Sequence, residues 1–367
     1  MRRMLLVAAV VLLYAGPSPG ATAAPTTVKV DCDRGQRIAT ALLQGDFRRP
    51  LIVDVRGTCN GSIVIDRDKV TLRGDPSATI NATNENTDTV TVDANGVTLE
   101  KLTLSGGYYG VRNDQVFRLY IADCVIQDTR SDGIRVFVGD TRIVRTTVQR
   151  AGANGVYITR GGSVGASNSQ FLNNHDSGIY AYGNSTVSAS NSTFSGNLTG
   201  IMVGTGSEGT FSGNTISGNT GVGLTAASSQ VNIGGNNLIV NNANWGVWIY
   251  SGSMATIYGN RIEDNAWDGV SGDIGTTLVM NDNQIRRNGG FGIACRTDCT
   301  MELDGHTLQD NGAGGVLIEQ ASKLMLIGTV HSSGSGWGLQ CSDKESSVGG
   351  VELLDGTVSD TCTDFDH

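Results

Sequence analysis

GVWIYSGSMATIYGNRIEDNAWD, residues 246–268, sets three short apolar segments in one 23-residue phrase. Val247 and Ile249 alternate with outward neighbours, the period of a half-buried strand. Ile257 marks a second strand, and Ile262, between Asn260 and Asn265, a third. Gly, Asn and Ser fill the gaps, as turns require. The opening Gly-aliphatic pair recurs at Gly110, Gly133, Gly155, Gly178, Gly200, Gly223, Gly246, Gly269, Gly292, Gly315 and Gly338, always 22 or 23 residues apart. A period held this strictly marks a solenoid, whose repeats bury their apolar sides only against their neighbours. Three strands per repeat specify an all-β chain, a single-stranded right-handed parallel β-helix of about 22–23 residues per rung. Its rungs stack about 4.8 Å apart. A propeller blade needs about 40 residues, and the L-x-x-L-x-L frame of leucine-rich repeats is missing.

Asn214, Asn237, Asn260 and Asn283 form one column, and Asn219, Asn242, Asn265, Asn288 and Asn311 another. Stacked amides bond along the axis and tolerate left-handed bends, so these columns read as folding devices. At the N-terminal end, GQRIATALLQ places Ile38, Leu42 and Leu43 on one face of a short helix that caps the open core. The expected organisation is a signal peptide over 1–23, an N-terminal cap over 24–59 (short helix and first strand), the β-helix over 60–340 and a C-terminal cap over 341–367. The leader shows Arg2 and Arg3 before LLVAAVVLLYAG, then Ala21-Thr22-Ala23 in the A-x-A cleavage pattern. The mature chain is expected to be secreted or periplasmic, with no membrane span.

Composition narrows the partners. Gly supplies 51 of 367 residues, yet only 5 Pro exclude a collagen-like chain, and 17% charged residues exclude charge-driven disorder. Without Arg2 and Arg3 the balance is 24 basic (26 − 2) against 35 acidic residues, or −11, which disfavours nucleic acid and anionic membrane. Eight Arg lie between Gly110 and Arg160, whereas Gly161–Asn260 holds no Lys or Arg and only Asp176 and Glu208 as acids. Seven Cys in an exported chain suggest disulfides, and proximity favours Cys32 with Cys59, Cys295 with Cys299 and Cys341 with Cys362. Cys124 is left over, as a small buried hydrophobe.

The phrase N-x-I-x-x-N-x-x-x-G-[VI], seen in NRIEDNAWDGV and NQIRRNGGFGI, resembles the repeat of bacterial secreted right-handed parallel β-helix proteins with the pectin-lyase-like fold. The resemblance covers residues from about 60 to 360. It implies the fold and leaves function open, because polysaccharide lyases, glycoside hydrolases, epimerases, phage tailspikes and adhesins share it.

Inward residues make the core of such a fold, so chemistry falls to outward columns and turns. The second residue after each anchor Gly opens a column reading Arg112, Arg135, Tyr157, Tyr180; a second column two residues on includes Phe137 and Tyr182. With Arg160, these seven are the candidate substrate-binding residues: aromatic faces stack on sugar C–H faces while Arg meets hydroxyls or carboxylates. Just before the anchor Gly stand Asp132 in SDGI, and His175 and Asp176 in HDSGI two rungs later, the candidate catalytic residues. In β-helix hydrolases resembling polygalacturonases, paired Asp occupy such turns; here the intervening rung carries Ala153-Asn154, and that family's G-H-G and R-I-K motifs are missing. A uronate lyase would need Arg112, Arg135 or Arg160 to neutralise a carboxylate and Tyr157, Tyr180 or His175 as base. Asp268, Asp273, Asp298 and Glu319 could meet on later rungs and bind Ca²⁺; no other cofactor or metal is implied. The expected function is binding of a polysaccharide or cell-surface glycan along an outward strand face, with cleavage by lyase- or hydrolase-type chemistry as the further step such a face allows. The alternative is a non-catalytic structural or adhesive surface protein.

Overall fold

The computed structural model describes residues 24–334, 336–359 and 362–364. The expected signal peptide lies outside them. From Gly110 onward each turn of the chain contributes three strands; in the turn opened by Gly246 these are Val247–Tyr250, Met254–Tyr258 and Arg261–Glu263. Each pairs in parallel with its counterpart one turn on, with Val247 beside Val270, Ala255 beside Leu278 and Ile262 beside Ile285. The strands that follow the anchor glycines form one sheet of thirteen strands, from Ile63–Ile65 to Trp337–Cys341. We call this the anchor sheet. The other two faces join in a network of 27 strands. The chain is therefore a parallel β-helix, as the repeat predicts.

Alternation builds the core. Val247, Ile249, Ile257 and Ile262 are fully buried, and equivalent residues of successive turns stack into apolar columns. The rings of Phe171 and Phe194 stack 4.8 Å apart inside. Turns press so closely that the anchor position tolerates no side chain: a Cβ on Gly246 would lie 2.6 Å from the Gly269 carbonyl oxygen.

The Asn columns are buried and continuous. Asn242 donates its backbone N–H and its Nδ2 to Asn265 Oδ1, at 3.1 and 2.9 Å, and Nδ2 also reaches the Ile216 carbonyl. One column runs from Asn174 through Asn197, Asn219, Asn242, Asn265 and Asn288 to Asn311. The other passes from Thr146 through Ser169, Ser192 and four Asn, and ends at His306. At the outer corners left-handed residues recur, and Asp and Arg there clasp across turns, as in Asp123 with Arg145, Asp128 with Arg150 and Asp264 with Arg287. Such ladders satisfy polar groups that burial would otherwise strand.

Stacking extends beyond residues 60–340 at both ends, since Thr26–Asp31 pairs with Leu51–Arg56 and Ser347–Gly349 with Lys323–Met325. The helix Ile38–Leu42 buries Ile38, Ala41 and Leu42. Leu43, expected on the same face, is 70% exposed, because a helix repeating every 3.6 residues groups 38, 41 and 42 and turns 43 outward. Disulfides join Cys32 to Cys59, Cys295 to Cys299 and Cys341 to Cys362. Cys124 is free and buried, and burial pushes its thiol up to about 12.

Candidate functional site

The anchor sheet carries the candidate residues. Its register sets Arg112 beside Arg135, Arg135 beside Tyr157 and Tyr157 beside Tyr180. The side chains alternate outward there because their neighbours, such as Ile134, Val136, Val156 and Ile158, are taken into the core. Arg135 is caged: its guanidinium carbon lies 3.9 Å from the Tyr157 ring centroid, 4.9 Å from that of Phe137 and 5.5 Å from that of Tyr109. Arg160 approaches the other side of Phe137 at 5.6 Å. Tyr157 meets Tyr180 edge-to-face at 5.2 Å, and Tyr180 meets Tyr182 at 5.9 Å. The expected strip is thus one contiguous aromatic surface laced with cations.

Charge on that strip is largely cancelled. Arg112 pairs with Asp88 at 3.4 Å and Asp114 at 3.2 Å, and Arg135 pairs with Asp132 at 2.7 Å. Arg160 is exposed and has no ion pair among the described residues. Burial raises the Tyr109 hydroxyl above its ordinary pKa; it raises that of Tyr180 too, with the neighbouring Tyr157, Tyr182 and Tyr250 adding to the effect. Both remain neutral donors at physiological pH.

The three acid–base candidates fall in two places. Asp132 has a 2%-exposed side chain with both oxygens engaged. Its Oδ1 accepts from the backbone N–H and Nδ2 of Asn154, at 3.1 and 3.0 Å, while Oδ2 holds Arg135. It clamps one turn to the next and aims Arg135 into its cage. Asp268, in the same position six turns beyond Asp132, repeats the device: Oδ1 accepts from the Phe291 backbone at 2.7 Å and Oδ2 holds Arg296 at 2.9 Å. His175 and Asp176 instead stand at the surface, with His175 Nδ1 2.9 Å from Asp176 Oδ1 and side chains 76% and 46% exposed. The structure leaves this pair open to solvent.

The acidic residues considered for Ca²⁺ do not gather. Asp268 and Glu319 grip opposite sides of Arg296, which also donates to Ser271, and Asp298 is an exposed left-handed turn residue. Among the described residues no group of three or more potential metal ligands converges. Arg296 is the reason, since its charge satisfies the carboxylates that a cation would need.

Two features lie outside the candidate set. Tyr109 enters the Arg135 cage from the turn before Gly110, a position whose side chain the repeat does not specify. Three turns past Tyr180 in the same column, Trp248 stacks on Tyr250 at 4.1 Å and on Trp245 at 4.6 Å, and Trp267 meets Trp245 edge-on at 4.6 Å. The outward columns contain Trp248 and Tyr250, but only the fold brings in Trp245 and Trp267 from turns of two successive rungs.

Comparison with solved structures adds likeness of fold. A pectate lyase, Pel9A, superposes with a TM-score of 0.51 at 12% identity, over 79% of this chain and 76% of that one. The catalytic domain of a GH87 alpha-1,3-glucanase in complex with tetrasaccharides gives 0.57 at 12% identity, over 84% and 68%. The periplasmic alginate epimerase AlgG gives 0.50 at 15% identity, over 91% and 84%. No curated relative matches the sequence. The family described as "Right handed beta helix region" matches residues 54–194, 109–262, 154–308 and 246–349, overlapping spans that take in most of the chain. With its three-strand turns and unbroken parallel register, the chain belongs to the right-handed β-helix family.

Proposed function

We propose that the anchor sheet binds an extended polysaccharide or cell-surface glycan. The observation that carries this reading is the contiguous surface of Arg135, Phe137, Tyr157, Tyr180 and Tyr182, five outward side chains on three successive turns. Aromatic faces offer apolar contact to sugar rings, and the Tyr hydroxyls with exposed Arg160 offer polar partners. The lyase, glucanase and epimerase named above act on polysaccharides through the same architecture, which supports the class without naming the sugar. Three disulfides support an oxidising compartment, secreted or periplasmic, where such glycans occur. Among the described residues no helix is long and apolar enough to cross a membrane.

Cleavage is a further step, and in this reading His175 and Asp176 are its acid–base residues, exposed at the edge of the strip. Asp132 and Arg135 act as positioning residues. The committed ion pairs favour a second reading, a surface that binds glycan without cutting it. The test is a binding and product-release assay on the mature chain, following reducing ends and unsaturated products separately. Binding that weakens about tenfold in Tyr180→Ala supports the glycan surface. Release abolished in Asp176→Asn adds catalysis, binding without release assigns the adhesive role, and unaltered binding in Tyr180→Ala refutes the site.

A further inference from the structure

The aromatic row on the later turns stands apart from the strip described above. Trp245, Trp248 and Tyr250 stack along one turn, and Trp267 closes on them from the next. Trp267 is 53% exposed, a large apolar surface on a side chain that packing alone would bury. Register places Trp248 three rungs from Tyr180, about 14 Å along the axis. The rungs between them carry Met202, Gly204, Thr225 and Ala227, a floor of side chains smaller than the flanking rings, with Thr225 buried in it.

Charge around this row is one-sided. From Gly161 to Asn260 there is no Lys or Arg. On the turns beyond, Arg296 is held by Asp268 and Glu319, with Asp273 beside it in the column. The nearby Arg261, Arg286 and Arg287 belong to another face, where all three engage Glu263. A polyuronate would meet carboxylates here and, among the described residues, find no free cation.

The geometry points to a second glycan subsite at Trp245, Trp248, Tyr250 and Trp267, one that takes neutral sugars. A neutral chain lies across the floor from Tyr180 to Trp248, its rings stacked at each ridge and its hydroxyls bonded to the Tyr hydroxyls. This inference rests on the reading of the anchor sheet as a glycan surface and adds the substrate class.

The four Trp include three at this row, so intrinsic fluorescence reports its occupation directly. The mature chain is titrated with cello- and laminari-oligosaccharides, and separately with oligogalacturonate and oligomannuronate, at about 50 and about 500 mM salt. The expected result is a fluorescence shift with a neutral oligomer, insensitive to salt, and a loss of affinity of about tenfold in Trp248→Ala. Trp267→Ala, at an exposed position, should show a similar loss with unchanged circular dichroism. Neutral-sugar affinity untouched in both variants overturns the subsite. Preferential, salt-sensitive binding of a uronate that is lost in Tyr180→Ala but kept in Trp248→Ala overturns the neutral class and leaves the glycan surface standing. No binding of either class overturns both.

Discussion

Replacing His306 by Asn should flatten the dependence of stability on pH. His306 ends a column of Asn residues, and its Nδ1 accepts the backbone N–H of Asn283 at 3.1 Å. The ring is wholly buried, so a second N–H at Nδ1 would face that donor with no solvent to relieve it. Burial lowers the imidazole from the ordinary 6.5 to about 4, outweighing the backbone at Met280 and Asn283 and the charges of Asp282 and Asp304, which push upward. The folded state therefore prefers neutral His306, while the unfolded chain takes up a proton below about 6.5. Stability is complete above that pH, falls as pH drops and levels off near 4. The shift of about 2.5 units is worth about 3 kcal/mol in full, and about 2 kcal/mol of it is lost by pH 5. Carboxylates paired with Arg also lose stability in acid, so the difference between wild type and His306→Asn is the quantity to measure. Urea unfolding at pH 7.5 and at pH 5 supplies it, and proton NMR of the His ring C–H groups supplies an independent check. Asn at 306 restores the acceptor oxygen, so the variant should lose about 2 kcal/mol less than wild type between the two pH values. Parallel pH profiles, or a His306 resonance titrating near 6.5, would show that the buried ring does not govern stability in acid.

Other positions give sharp outcomes. Asn242→Ala removes the side chain that bonds Asn219, Ile216 and Asn265 in a buried column, and should cost about 3 kcal/mol in denaturant unfolding. Cys124 should resist thiol reagents in native buffer and react fully once unfolded, since it is buried with a thiol near 12; rapid native labelling would contradict that placement. Asp132→Asn keeps an amide oxygen for Asn154 but turns its Nδ2 toward the Arg135 guanidinium, so it should destabilise less than Asp132→Ala, which should cost about 2 kcal/mol. Equal unfolding midpoints for the two variants would show that the clamp contributes nothing.

The solenoid was legible because its signal repeats: Gly246-Val247 alone says little, while eleven such pairs at 22–23 residues leave one arrangement. The Asn ladders were legible for the same reason. His306 was not, since a lone His at the end of an Asn column breaks the pattern that would identify it, although Asn283 treats its Nδ1 as another amide oxygen. The disulfides followed from proximity along the chain. Leu43 misled because a five-residue helix presents barely more than one turn, and one residue of phase decides which side is buried.

The candidate strip was legible in which side chains share it and illegible in charge state. Columns in sequence identify which side chains point outward, so Arg112, Arg135, Tyr157 and Tyr180 were found together. They do not show what each Arg already holds. Asp88 sits 24 residues before Arg112, and Asp268 sits 28 before Arg296, distances at which no local motif operates. Only the stacking of turns makes these neighbours. The consequence bears on mechanism: a lyase acting on uronates needs a free cation at the carboxylate, and the fold has committed Arg112 and Arg135 to aspartates, leaving Arg160 as the unpaired guanidinium beside the aromatic strip. The Asp-Gly turns at Asp132, a catalytic candidate by sequence, and at Asp268 each anchor an arginine. With Arg160 the one unpaired charge beside the strip among the described residues, aromatic rings and Tyr hydroxyls are most of what this surface offers a ligand, and that favours the neutral-sugar binding proposed above over uronate chemistry.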